Sequence, residues 1–176
     1  MRTTKVSIAL SCCLLGVSML AAAQSIRKPG LYEITSKTTW KQSPIAAGKD
    51  VPAGTKSIFS GEPHTSQVCL SQEMIDKYGA PMPQSRDCEV QNLVKTDRSM
   101  KGDWVCSGRM EGKGTLESAS TEDGRSKGKV YFVGTMQMGA EKRPAEFTIE
   151  SSSIFKGYDC GDVKPLPMPV KPGPKD

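Results

Sequence analysis

Lys127–Met138 (KGKVYFVGTMQM) and Ala145–Lys156 (AEFTIESSSIFK) decide the fold. In the first, Val130, Phe132, Met136 and Met138 alternate with Tyr131, Thr135 and Gln137. In the second, Phe147 and Ile149 alternate with Glu146, Thr148 and Glu150. A period of two is that of a strand with one buried face. The stretch that contains them, Trp104 to Cys160, reads as three or four consecutive strands. The chain before it pairs with it, and the chain after it is a tail.

Working outward, Gly30–Trp40 is the first strand, with Tyr32, Ile34, Thr38 and Trp40 on one face and Glu33, Thr35 and Lys37 on the other. Lys41–Pro63 holds Pro44, Pro52 and Pro63 together with Gly48, Gly54 and Gly61. It reads as a long loop, either mobile or a lid, with a short strand candidate at Lys56–Ser60. His64–Leu70 is the second strand. Ser71 then caps a short helix, Gln72–Tyr78, closed by Gly79 at the C′ position. Its apolar stripe is Met74, Ile75 and Tyr78, and Pro81 and Pro83 forbid its continuation. Cys88–Thr96 is the next strand, turning through Asp97–Asp103 into Trp104–Glu111 and Lys113–Ser120. Asp123-Gly124 marks a hairpin before Lys127–Met138, and Ala145–Lys156 closes the series.

This pattern predicts a mainly β protein: an antiparallel meander of about seven strands with one short helix and two disulfides. A strongly curved sheet, a half-open barrel and a closed barrel all satisfy it. Gly108, Gly114 and Gly134 inside strands fit the bulges or bends that curvature needs.

The 176 residues fit one domain. Arg2 and Lys5, the apolar run Val6–Leu20 and the small residues Ala21-Ala22-Ala23 form a secretory signal peptide, residues 1–23. The run is shorter than the roughly 20 residues that span a bilayer. Lipoprotein processing at Ser11-Cys12 would leave too short an apolar region. The expected mature chain is periplasmic or secreted, with a β-domain over 24–161 and a Pro-rich disordered tail over 162–176. Without Arg2 and Lys5 the formal charge falls from +5 to +3. The cations are interleaved with acids, which argues against a nucleic-acid-binding stripe.

Cys69, Cys88, Cys106 and Cys160 remain after processing. Their spacing lacks the close pairs of a thiolate metal site and the C-x-x-C of a redox centre, so they are expected to form two structural disulfides. Pairing Cys69 with Cys88 would pin the helix and its Pro-rich exit. Pairing Cys106 with Cys160 would tie down the C-terminus.

Four motifs in order add a resemblance. They are Arg27-Lys28-Pro29-Gly30-Leu31-Tyr32-Glu33-Ile34, Gln67-Val68-Cys69-Leu70 before a helix, Trp104-Val105-Cys106, and Tyr158-Asp159-Cys160-Gly161. Together they resemble the bacterial DUF3617 family over Arg27–Gly161, with Tyr32 where that family often has Trp. The resemblance implies an exported β-rich envelope domain and implies no activity, cofactor or catalytic residue.

The sequence offers no catalytic, cofactor or metal constellation. His64 is the only histidine, beside Pro63 at a strand start, where a surface role is expected. There is no G-x-S-x-G, P-loop or G-x-G-x-x-G motif. Glu122-Asp123 is explained by turn chemistry. The residues expected to form a core or ligand face are Trp104, Met110, Phe132, Met136, Met138 and Phe147. The leading expectation is a non-enzymatic periplasmic domain that binds an apolar or amphipathic small molecule, or an envelope protein, on the concave sheet face. The alternatives are a structural envelope protein without a pocket and an enzyme inhibitor. Ser107-Gly108 begins a Ser-Gly-x-x-Tyr signature, but Glu111 stands at the tyrosine position.

Overall fold

The structure is a computed structural model that describes residues 26–45, 59–83 and 85–169. The signal-peptide segment, residues 56–58 of the strand candidate and residues 170–176 of the tail lie outside the described residues. In chain order the elements are β1 (Gly30–Gln42), β2 (His64–Leu70), α1 (Gln72–Tyr78), β3 (Cys88–Lys95), β4 (Ser99–Ser107), β5 (Met110–Ser120), β6 (Arg125–Met138) and β7 (Glu141–Gly157). The seven strands form one antiparallel sheet in the order β2-β1-β7-β6-β5-β4-β3.

The fold class is therefore the expected one, with one topological difference. β3 to β7 form a meander, but β1 pairs with β7, bringing the first strand beside the last. The sheet is open, with β2 and β3 as its two edges, so the closed barrel is excluded.

One face of the sheet is buried. Across β1, β7, β6, β5 and β4 the register aligns Trp40, Phe147, Phe132, Gly114 and Trp104 in a transverse row. Phe132, Trp104 and Phe147 are 0%, 5% and 5% exposed. Their ring centroids succeed one another at 4.8 Å (Trp40–Phe147), 5.3 Å (Phe147–Phe132) and 5.7 Å (Phe132–Trp104). Such pairs contribute about 0.5–1.5 kcal/mol each beyond area burial. Gly114 sits between Trp104 and Phe132 and gives the row its depth. A Cβ there would collide with the Tyr131 carbonyl oxygen on the neighbouring strand.

The bulges allowed for at the strand glycines are not found there. Pairing runs unbroken through Gly114 and Gly134, so neither marks a bulge. Gly108 lies in the β4–β5 turn, outside any strand. The register shifts fall instead at Leu31/Tyr32, Trp40/Gln42 and Gln91/Val94.

Helix α1 has the predicted limits. Ser71 Oγ accepts from Met74 N at 3.1 Å, and Gly79, with φ of 71°, donates its N–H to the Ile75 carbonyl. Met74 and Ile75 enter the core. Lys95 of β3 donates to the Asp76 carbonyl in the last turn, where a cation also complements the helix dipole.

Two further segments lie against the sheet. The leader crosses one end of it: Ile26 N bonds the Asp97 carbonyl, Arg27 bonds two β5 serines, and the Tyr32 hydroxyl of β1 donates to the Lys28 carbonyl at 2.7 Å. The chain after β7 also folds back, where a disordered tail was expected from residue 162. Pro165 bridges Cys69, Leu166 N donates to the Cys69 carbonyl at 2.9 Å, and Leu166 and Met168 pack on the core.

The disulfides join Cys88 to Cys106 and Cys69 to Cys160, not the partners expected from the sequence. The reason is the β3–β4 turn. Thr96 Oγ1 accepts from the backbone N–H of Arg98 and Ser99, so β4 begins at Ser99 rather than at Trp104. That register sets Cys88 directly opposite Cys106. Leu31 of β1 lies opposite both Cys69 and Gly157, which brings the segment after β7 to Cys69.

This packing can be tested at the cysteines and at the glycines. Tryptic mapping of unreduced protein is expected to yield 69–160 and 88–106 cross-links and no 69–88 species. Opening the 91-residue link by C69S/C160S should lower the urea-unfolding free energy by about 4–5 kcal/mol, against about 3 for C88S/C106S. Gly114→Ala should cost at least about 2 kcal/mol by overpacking. Gly157→Ala, where nothing lies within 4 Å of the added methyl group, should stay within about 0.5 kcal/mol of wild type by the same measurement.

Candidate functional site

The residues expected to form a ligand face are mostly sealed. Trp104, Phe132 and Phe147 belong to the packed aromatic row. Met110 and Met136 pair across β5 and β6 and are half-buried against the core. Met138 is half-buried opposite Glu141 near the β6–β7 turn, outside the core cluster. These six side chains are accordingly core and core margin.

The open space on this face lies further along the same strands. A cavity of about 230 Å³ sits between the sheet and the Ala80–Pro83 segment that leaves α1. Ile34, Leu116, Val130 and Ile149 line it from the sheet, and Met82 and Pro83 from above. It exists because the sheet carries small side chains here. The register aligns Ser153 with Ser126 and Ser126 with Ser120, and in the next row Ser151, Gly128 and Ser118. One row further are Ile149, Val130 and Leu116, and beyond them the aromatic rings. Along β5 to β7 the floor passes from hydroxyls to aliphatic to aromatic groups, while Ile34 of β1 flanks Ser153 and Met100 of β4 flanks Ser118.

Arg27 enters at the hydroxyl end. It is 8% exposed, with Nε donating to Ser120 Oγ at 2.7 Å and Nη2 to Ser118 Oγ at 2.9 Å. Burial pulls its pKa below the ordinary arginine value, yet a guanidinium starts so high that it stays charged in the physiological range. The Ser126 and Ser153 hydroxyls bond each other at 2.6 Å. The leader's place across the sheet end, which no strand or helix pattern announces, puts this cation in the cavity wall. Its one sequence signal is Arg27 at the head of the Arg27–Ile34 motif.

The arrangement can hold a molecule; its lining is poor in groups that transform one. Glu117 is the one carboxylate among the described lining residues. Strand alternation turns it to the other face, where Lys101 lies 3.7 Å away. His64 is exposed on β2, opposite Ser36. Among the described residues no group of three or more His, Cys, Asp and Glu is placed to hold a metal ion.

The opposite face carries a shallower groove of about 670 Å³. Lys37, Glu150, Lys129, Glu117 and Lys101 succeed one another across five strands, alternating in sign. Each glutamate stands between two lysines, so like charges are kept apart and the row behaves as a solvated surface. Beside it, Glu146 accepts from Lys41 Nζ and the Tyr131 hydroxyl, both at 2.9 Å. These two bonds, Lys41's first, hold its carboxyl below the usual range.

No helix among the described residues is long and apolar enough to cross a membrane. Comparison with curated proteins and with solved structures gave no match. A family model described as a protein of unknown function does match, over residues 27–160. That span runs from the buried arginine to the last disulfide cysteine, and by it the chain belongs to the DUF3617 family.

Proposed function

We propose that this chain is an exported, non-enzymatic β-domain that binds a small molecule with an apolar body in the cavity beneath the Ala80–Pro83 segment. The observation that carries the proposal is the cavity itself: aliphatic walls on a sheet whose neighbouring rows are closely packed. At about 230 Å³ it lies below the roughly 300–1,000 Å³ of drug-sized sites. The ligand is therefore small, or only one end of it enters. Strong curvature of the sheet about this face is part of the same proposal.

Export to the periplasm or the medium is proposed with it. The apolar segment Val6–Leu20 followed by Ala21-Ala22-Ala23 supports cleavage after Ala23. Two disulfides favour an oxidising compartment. The competing reading, an envelope interaction protein without a ligand, draws on exposed Tyr131, Val133 and Ile154 on the other face. Singly exposed apolar residues are ordinary on protein surfaces, so the cavity is the stronger feature.

Native mass spectrometry of protein purified from the periplasm without detergent tests the proposal. A reproducible added mass is expected on wild type, released on unfolding and absent from Val130→Phe, which fills the cavity. A clean apo mass from wild type would move the assignment to a partner-binding or structural role.

A further inference from the structure

We infer that the cavity takes a compact uncharged molecule carrying one hydrogen-bond acceptor, such as a ketone or an ester, and that the Ser118 hydroxyl donates to it. The inference rests on the binding role proposed above and names the ligand class for that site. Its basis is the interleaving of polar and apolar groups on the cavity floor. Ser118 of β5 has Met100 beside it on β4 and Gly128 beside it on β6. Leu116 is its neighbour two residues back on the same face. Ile34 of β1 stands beside Ser153 in the same way. The hydroxyls are thus bordered by apolar groups, and the matching ligand is an apolar body with one polar atom. The space beside Ser118 comes from Gly128, where a Cβ would stand 2.8 Å from Ser151 Oγ and 4.0 Å from Ser118 Cβ. The cavity, at about 230 Å³, is larger than the roughly 150 Å³ that holds benzene in an apolar protein interior. The body is therefore about the size of one substituted ring.

Arg27 decides which hydroxyl is the donor. Its Nε and Nη2 donate to Ser120 and Ser118, and its Nη1 is sealed from the cavity. The guanidinium therefore acts on a ligand through Ser118, which lines the cavity. Ser118 Oγ accepts from Arg27 at 2.9 Å and has no other hydrogen bond among the described residues, so its own proton is left to give. Accepting from a cation polarises a hydroxyl and makes it the stronger donor. The neighbouring lining hydroxyls are engaged elsewhere: Ser126 and Ser153 bond each other at 2.6 Å, and Ser151 Oγ donates to the Gly128 carbonyl at 3.4 Å. A carboxylate or phosphate needs several donors to replace its water, and burying its charge without them costs more than one hydrogen bond returns. The side chains of Met100 and Leu116 supply none. An ammonium group would meet the like charge of Arg27. Met82 and Met100 give the body an adaptable apolar surround.

The test uses the mature protein with both disulfides intact and three probes of matched shape: acetophenone, isopropylbenzene, which lacks the acceptor, and benzoate, which carries a charge. Binding is read by titration calorimetry, and the hydrogen bond by infrared spectroscopy of acetophenone labelled with ¹³C at its carbonyl. Acetophenone is expected to bind about two- to tenfold more tightly than isopropylbenzene, the worth of one neutral hydrogen bond. It should bind at least about tenfold more tightly than benzoate. Its carbonyl band should lie at lower frequency than in a hydrocarbon solvent. Ser118→Ala should return the band to the hydrocarbon position and remove the preference over isopropylbenzene. If Ser118→Ala does not fold, Ser118→Cys, with the weaker thiol donor, should move the band part of the way. Equal binding of acetophenone and isopropylbenzene, a wild-type band at the hydrocarbon position, a band that no Ser118 variant moves, or benzoate bound as tightly as acetophenone would overturn the inference. Isopropylbenzene binding that Val130→Phe abolishes would then leave the cavity's binding role standing. Absence of binding by all three probes, or binding unaffected by Val130→Phe, would overturn both.

Discussion

Phe132 has no room to move, and much of the molecule is arranged around that fact. Its ring is fully buried, with Phe147 on one side and Trp104 on the other. Methyl groups added at Gly112 and Gly134 would come within 3.0 and 2.9 Å of its Cζ. These two glycines face each other across β5 and β6, and Gly114 faces Phe132 itself. A glycine in a strand lowers its intrinsic stability; here the aromatic packing that it admits offsets that loss. Interiors packed at crystal-like density tolerate little change, so this region fixes the mutual register of β4 to β7. Every row further along the strands inherits its position from it, the serine rows included.

The second constraint is the pairing of β1 with β7. It makes the sheet a non-local structure, because strands from the two ends of the domain lie side by side. Parts of the chain without strand character reinforce that meeting. The leader ties the β3–β4 turn, β5 and β1 through Ile26, Arg27 and Lys28. The Cys69–Cys160 disulfide and the Leu166–Cys69 hydrogen bond hold the opposite terminus to β2. Arg27 is therefore placed by the same closure that completes the sheet.

How much of this was legible depends on whether the information was local. The alternation in Lys127–Met138 and Ala145–Lys156 located two long strands, and Ser71 with Gly79 set the helix limits to the residue, because caps are local chemistry. The disulfides were missed through one local error. With the β3–β4 turn placed around residue 100 instead of at Thr96–Ser99, Cys88 and Cys106 do not face each other. The Thr96 side-chain turn was the clue, and a Thr-Asp-Arg-Ser run is weaker as a signal than Asn-Gly or Asp-Gly. The cavity was not legible, because it depends on two non-local facts: which strand β1 joins, and that the leader crosses the sheet end. Composition showed a serine-rich strand in Glu150–Ser153. Only the register showed that Ser151 and Ser153 turn inward beside Ser118, Ser120 and Ser126.

That serine cluster is the feature least explained by stability alone. A sheet face covered by a helix is ordinarily filled with aliphatic side chains, and this face is so filled from Leu116 to Trp104. Replacing that pattern by five serines and a buried arginine forgoes apolar burial, and hydroxyls require partners that alanine or valine would not. The partners are present: Ser126 with Ser153, and Ser118 and Ser120 with Arg27. These hydrogen bonds offset part of that loss, but they do not compensate for a cavity left beside them, which itself costs free energy. The serine rows and the retained space therefore set this end of the sheet apart from the closely packed rows around Phe132 that fix the register.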